Sequence, residues 1–157
     1  DTNKLINFVN YYNQNFVIIY PNNDLGTEII IDSYKKLLKT GKNKIFESLR
    51  FERFVSLLKN SKFIIGNSSS GIYEAPVLGV PTINIGERQH KRLNSRVIKN
   101  LKIESLNKYN VDKFLNDYKQ IKKKLFGKGN TDKRFMQVIN KNAFWKISTQ
   151  KYYADIV

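Results

Sequence analysis

The chain is 157 residues long, 41% hydrophobic and 13% aromatic, one domain's worth of globular sequence and not a disordered segment. It has no cysteine and a single histidine, His90, which excludes disulfides and cysteine metal sites and disfavours a histidine metal cluster or a Ser-His-Asp triad. A net charge of +15 raises nucleic acid as a partner, but lysines outnumber arginines 22 to 6 and do not alternate with aromatics as a stacking platform would, so no specific nucleic-acid binding is expected. No apolar run approaches the ~20 residues of a membrane helix and no signal-peptide pattern is present, so a cytoplasmic protein without a membrane partner is expected.

The chain opens Asp1-Thr2-Asn3-Lys4-Leu5 without an initiator methionine and runs straight into helical spacing at Leu5, Phe8, Val9 and Tyr12. That opening predicts a cut inside a longer protein. Residues 16–20 (Phe-Val-Ile-Ile-Tyr) form a buried strand, and Pro21-Asn22-Asn23-Asp24-Leu25-Gly26 is a turn by composition. A helix follows over about 26–40, with Ile30, Ile31, Tyr34, Leu37 and Leu38 on its inner stripe and Gly41 ending it. Residues 43–47 are a weaker strand, and Phe51, Phe54, Val55 and Leu58 keep helical spacing up to Asn60 or Ser61. Next come a strand over 62–66, a glycine-serine turn over 66–71, a short helix over 72–78 stopped by Gly79 and Pro81, and a strand over 82–85 ended by Gly86. Between 93 and 108 only Val97-Ile98 suggests another strand. A helix spans 110–125 with Val111, Phe114, Leu115, Tyr118, Ile121 and Leu125 on one face, and a further helix opens at about Thr131, capped by Asn130 or Thr131.

Strands alternating with helices of this length predict an α/β fold, a Rossmann-like parallel sheet flanked by helices, with residues 1–157 as one nucleotide-binding domain. Ligands of such sheets bind beyond the carboxyl ends of the strands. Those ends are Asn22, Leu49, the 66–71 turn and the 86–88 segment, so four polar or glycine-bearing stretches converge on one edge.

The 66–71 turn precedes a helix, where orphan N–H groups and the peptide dipoles favour an anion. Ser68, Ser69 and Ser70 add hydroxyl donors, Glu74 is a carboxylate for ribose hydroxyls, and Arg88 and Arg92 offer forked donors to a diphosphate. Each has a plainer reading. Serines before a helix cap it, Glu74 complements the helix dipole, and Asn22 and Asp24 make an Asx turn. Pro76 is tolerated only if the first helical turn is irregular.

The block G-N-S-S-S-G-I-Y-E-A-P-V-L-G-V-P-T-I-N-I-G-E-R-Q, residues 66–89, resembles the signature of the hydrolysing UDP-N-acetylglucosamine 2-epimerases. The wider 2-epimerase family has Asp-Ser-Gly-Gly where Asn67 to Ser70 stand here, and Thr-Glu-Arg-Pro where Gly86 to Gln89 stand. Both departures favour the hydrolysing branch. The resemblance implies the C-terminal half of a glycosyltransferase-B-like fold, whose missing N-terminal domain closes the active-site cleft. It implies a UDP-aminosugar substrate bound by Asn22, by the backbone near Leu49 at the uracil, by Ser68, Ser69 and Arg88 at the diphosphate, and by Glu74 at the ribose. Catalytic acid/base residues and the family's active-site histidine would precede Asp1, leaving none in this chain and His90 as a surface residue. No cofactor or metal is implied. The reaction would release N-acetylmannosamine and UDP for sialic-acid-type sugar biosynthesis. A glycosyltransferase of the same fold and a non-catalytic nucleotide-binding or basic interaction module remain alternatives. The base, uracil or guanine, the aminosugar and self-association stay open.

Overall fold

A computed structural model describes residues 2–12, 14–21, 26–38, 41–118, 126–148 and 150, the side chains of 36–38 excepted. Asn22 and Asp24 lie outside the described residues. The chain divides into two compact units, Asp1–Lys123 and Lys124–Val157.

In the first unit the elements are α1 (Thr2–Tyr12), β1 (Val17–Ile19), α2 (Thr27–Leu38), β2 (Lys44–Phe46), α3 (Phe51–Lys59), β3 (Ile64–Gly66), a 3-10 turn (Ser69–Gly71), α4 (Glu74–Leu78), β4 (Thr82–Ile85), β5 (Ile98–Leu101), a second 3-10 turn (Ile103–Ser105) and α5 (Lys108–Asp117). Every paired strand is parallel, so each connection must cross over, and α2 and α4 make two of those crossings. The hydrogen bonding forms two ladders, β1-β2 and β3-β4-β5, where one continuous sheet was expected.

One core serves both ladders. Ile6, Phe8, Val9, Ile83, Leu101 and Val111 are buried together, with Phe16, Ile18, Phe63 and Ile65 packed against them. The rings of Tyr12, Phe16 and Phe63 meet edge-on at 5.8 to 6.3 Å, the separation aromatic pairs prefer. Asn43, itself buried, accepts a hydrogen bond from the Phe16 amide at 3.1 Å and so aligns the entries to β1 and β2. A second cluster, Leu58, Ala75 and Val80, packs α3 on α4. A third joins Ile72, Val97 and Ile98, with Tyr118 against it. The Tyr118 hydroxyl donates to the Gly79 carbonyl, fixing the end of α4 to the end of α5.

Glycine is required at Gly79, whose φ of 73° ends α4 in the left-handed region. The Val80 amide bonds the Ala75 carbonyl at 2.8 Å and the Gly79 amide the Pro76 carbonyl at 3.2 Å, the paired bonds of a Schellman stop. Asn107 caps α5 by accepting from the Asn110 amide at 2.9 Å, so that helix starts at Lys108 and not at residue 110. Tyr118 is already extended, with ψ 122°, which ends the helix at Asp117; the rest of its expected span, 119–125, lies outside the described residues.

The second unit holds α6 (Thr131–Ile139) and α7 (Asn142–Trp145). Asn130 stands at the N-cap position of α6 but makes no side-chain cap bond. Phe144 and Trp145 meet edge-on at 5.1 Å, and the Trp145 indole donates to the Ile139 carbonyl at 2.6 Å. No helix among the described residues is long and apolar enough to cross a membrane.

Candidate nucleotide site

The carboxyl ends of β3 and β4 lie side by side, because Gly66 pairs with Asn84 in the ladder. Gly66 has φ +140°, a conformation open to glycine and strained for other residues, and it turns the chain out of β3 into the serine segment.

The serines do not act alike. Ser68 is the N-cap of the 3-10 turn: its hydroxyl oxygen accepts from the Ser70 amide at 3.3 Å and its O–H donates to Ser70 Oγ at 3.3 Å. Ser69 is the first residue of that turn and is exposed. The amides of Gly71, Ile72 and Tyr73 bond back to the Ser68 and Ser69 carbonyls at 2.8 to 3.1 Å. Those three N–H groups therefore hold the turn itself.

Gly71 is there for packing. A Cβ on it would lie 2.7 Å from Cγ2 of Thr82, and the Thr82 hydroxyl donates to the Gly71 carbonyl at 2.7 Å. The glycine admits the strand.

The helix expected over 72–78 begins at Glu74, after the 3-10 turn and two turn residues. Glu74 is thus the first residue of α4. Its Oε2 is buried and has no hydrogen-bond partner, an acceptor held without a donor. Pro76 falls third in α4, where its amide would have had no intrahelical acceptor, so nothing is lost.

Arg88 is exposed in the turn that follows β4. Gly86 at φ 79° and Lys91 at φ 63° shape this turn, and bonds from the His90 amide to the Glu87 carbonyl (2.9 Å) and from the Arg92 amide to the Gln89 carbonyl (3.3 Å) close it. His90 and Arg92 are exposed. Two buried amides brace the turn. Asn84, 1% exposed, donates to Asn100 Oδ1 on β5 at 2.8 Å and to the Gly86 carbonyl at 3.4 Å. Gln89, 3% exposed, donates from Nε2 to the Asn67 carbonyl at 3.2 Å, while its Oε1 is buried without a partner.

Ser68, Ser69 and Arg88 therefore lie in the turns that follow two paired strands, and Glu74 opens the helix after the first of those turns. Leu49 is half-buried in the segment between β2 and α3, at the end of a strand in the other ladder. Sequence reasoning gave Asn84 and Gln89 no role; the only available sign was a polar residue inside or beside an apolar strand. An open groove of about 650 Å³ lined by Tyr11, Tyr109, Lys113 and Asp117 lies between α1 and α5. Its lining comes from the surfaces of α1 and α5 and not from the ends of β3 and β4.

The sequence profile of the UDP-N-acetylglucosamine 2-epimerase family matches residues 2–140, a span that contains both the serine turn and the Arg88 turn. The chain belongs to that family. Parallel ladders flanked by helices are the α/β, Rossmann-like architecture of this glycosyltransferase-B-like family. The chain is similar to the UDP-N-acetylglucosamine 2-epimerase of Neisseria meningitidis serogroup B, with 41% identity over 155 residues, covering 91% of this chain and 39% of that protein. It is similar to the polysialic acid biosynthesis protein P7 of Escherichia coli, with 35% identity over 103 residues, covering 64% of this chain and 26% of that protein. A GDP/UDP-N,N'-diacetylbacillosamine 2-epimerase (hydrolyzing) of Campylobacter jejuni is 46% identical over 65 residues, covering 41% of this chain and 17% of that protein. The chain thus spans about two fifths of the first relative's length and less of the others.

Proposed function

We propose that this chain is the UDP-binding half of a hydrolysing UDP-N-acetylglucosamine 2-epimerase, with residues 1–157 as one nucleotide-binding domain of a two-domain cytoplasmic enzyme. The observation that supports the reading is that the exposed Ser69 and the Arg88 turn follow the paired strands β3 and β4, with Glu74 Oε2, buried without a partner, at the start of α4 just beyond the serine turn. In this scheme UDP leaves C1 as a proton leaves C2, giving a 2-acetamidoglucal. Water then adds across the double bond, hydroxyl to C1 and hydrogen to the opposite face of C2, releasing N-acetylmannosamine for sialic-acid-type sugar biosynthesis.

The leaving group is a diphosphate, so donors fixed before the charge develops do much of the work. Ser69 and Arg88 are those donors, with Ser68 holding the turn in shape, and Glu74 accepts from the ribose hydroxyls. Asn22 and the backbone near Leu49 complete the nucleotide contacts. The acid/base groups belong to the part of the protein that relatives have beyond the match, which supplies the facing domain. The substrate class is a UDP-aminosugar, and specific nucleic-acid binding is not part of this function.

Calorimetric titration tests the reading. UDP should bind the chain more tightly than GDP, and the chain alone should form no N-acetylmannosamine. Failure of UDP to bind would refute the nucleotide site, and N-acetylmannosamine formation would refute the assignment of the acid/base groups elsewhere.

A further inference from the structure

We propose that Gln89 is a positioning residue that locks the Arg88 turn to the serine turn, so that both sides of the diphosphate site keep one separation. The inference rests on the nucleotide site proposed above and adds to it a residue with no ligand contact of its own. Its side chain is 3% exposed, and its Nε2–H bonds the carbonyl of Asn67 at 3.2 Å, across 22 residues of sequence. Asn67 is the link between Gly66, the last residue of β3, and Ser68, the cap of the 3-10 turn. Gln89 itself directly follows Arg88, and its carbonyl accepts the Arg92 amide, so its main chain is part of the same turn. One hydrogen bond therefore joins the two loops that must reach a single diphosphate together.

Packing alone does not account for a glutamine here. Half of its amide, Oε1, is buried with no partner, an unfavourable state that methionine of similar volume would avoid. The polar group is kept for the bond its other half makes. Fixing two donor sets relative to each other before the ligand arrives is what makes their contacts act together.

The test is a double-mutant cycle on UDP affinity in the intact protein, measured well below the melting temperature of every variant. Gln89→Met removes the donor and retains the volume, and should weaken UDP roughly 3- to 10-fold, the range expected for one lost hydrogen bond. In an Arg88→Ala background the same change should add less than about twofold, because the group being positioned is gone. Gln89→Leu, uncharged and also without a donor, should behave like Gln89→Met and serves in its place should the methionine variant not fold. If both losses simply add, Gln89 supports the fold generally and the inference is overturned. An unweakened Gln89→Met overturns it also, while leaving the nucleotide site standing. Absence of UDP binding in the unsubstituted protein would instead sink the site and this inference together, and that arm alone identifies such a failure.

Discussion

Replacing Gly71 with alanine should destabilise the protein by overpacking a single contact, and the geometry fixes the size. The added Cβ would stand 2.7 Å from Cγ2 of Thr82, well inside ordinary contact distance. Thr82 is 2% exposed on β4, between β3 and β5, so it cannot swing away. Rotating its side chain would also break the 2.7 Å bond from its hydroxyl to the Gly71 carbonyl. Overpacking of this kind costs about 1–3 kcal/mol, and weakening the bond about 0.5–1.5 kcal/mol more. A total of about 2–4 kcal/mol corresponds, for a chain of this length, to a fall in Tm of roughly 4–16 °C. The decisive variant is Thr82→Ser, which deletes Cγ2 and keeps the hydroxyl. In that background Gly71→Ala should lose most of its cost, readable in thermal melts and urea titrations. An equal cost in both backgrounds would refute the steric account.

Three further predictions follow from the site and its surroundings. Ser69→Ala and Arg88→Ala should each weaken UDP binding by about 1–3 kcal/mol with melting changed by less than about 1 kcal/mol, whereas Ser68→Ala should lower stability by about 1 kcal/mol as a lost cap; calorimetry paired with melts separates the two classes. Glu74→Gln should weaken UDP binding by about 1–3 kcal/mol with little change in stability, since only one of its carboxylate oxygens, Oε2, is buried; lower stability with unchanged affinity would contradict the assignment. Burial, helped by the 2.6 Å bond to Asp112, pushes the Tyr12 hydroxyl from 10.0 up to about 12. Because the folded value lies above the unfolded one, this contribution is complete below about pH 10 and is lost as pH rises to about 12. The full difference would be worth about 2.7 kcal/mol, and solvent screening of a half-buried ring reduces it to about 1 kcal/mol. Tyr12→Phe should therefore flatten the alkaline end of the stability curve, and an unchanged slope between pH 10 and 12 would count against this pairing.

The first four strands were legible because each holds two or more apolar residues within a short span beside glycine, proline, asparagine or serine. Residues 16–20, 43–47 and 62–66 contain β1, β2 and β3, and 82–85 matches β4. The fifth strand was barely legible for a physical reason. Only its ends, Ile98 and Leu101, are buried, while Lys99 and Asn100 face solvent at the margin of the ladder, so its sequence has neither an apolar run nor strict alternation. The crossover into it, residues 86–97, contains no helix and offers no period to read. The division into two ladders was not legible at all, because strand periodicity reports which residues are buried and not which neighbouring strand takes the hydrogen bonds. Ile18 and Ile65 pack on one core although their strands belong to different ladders.

The candidate site was legible to a different degree, since one run of sequence carries two requirements at once. Glycines, serines and a proline between 66 and 81 satisfy a tight strand–turn–helix–strand connection before any ligand is considered. Gly71 is fixed by Thr82, Gly79 by the helix stop and Ser68 by the cap. Those three positions would be needed in a protein that bound nothing. What the connection does not need is an exposed serine at position 69, a buried carboxylate oxygen without a donor at Glu74, or a half-satisfied amide at Gln89. Burial of unpartnered acceptors is unfavourable and a stable fold gains nothing from it, so these atoms identify where the chain departs from its own structural needs. Sequence patterning sees the first requirement and the second together. Only the partners of each atom separate them, and the residues left over after that separation are those in and just beyond the turns that follow β3 and β4.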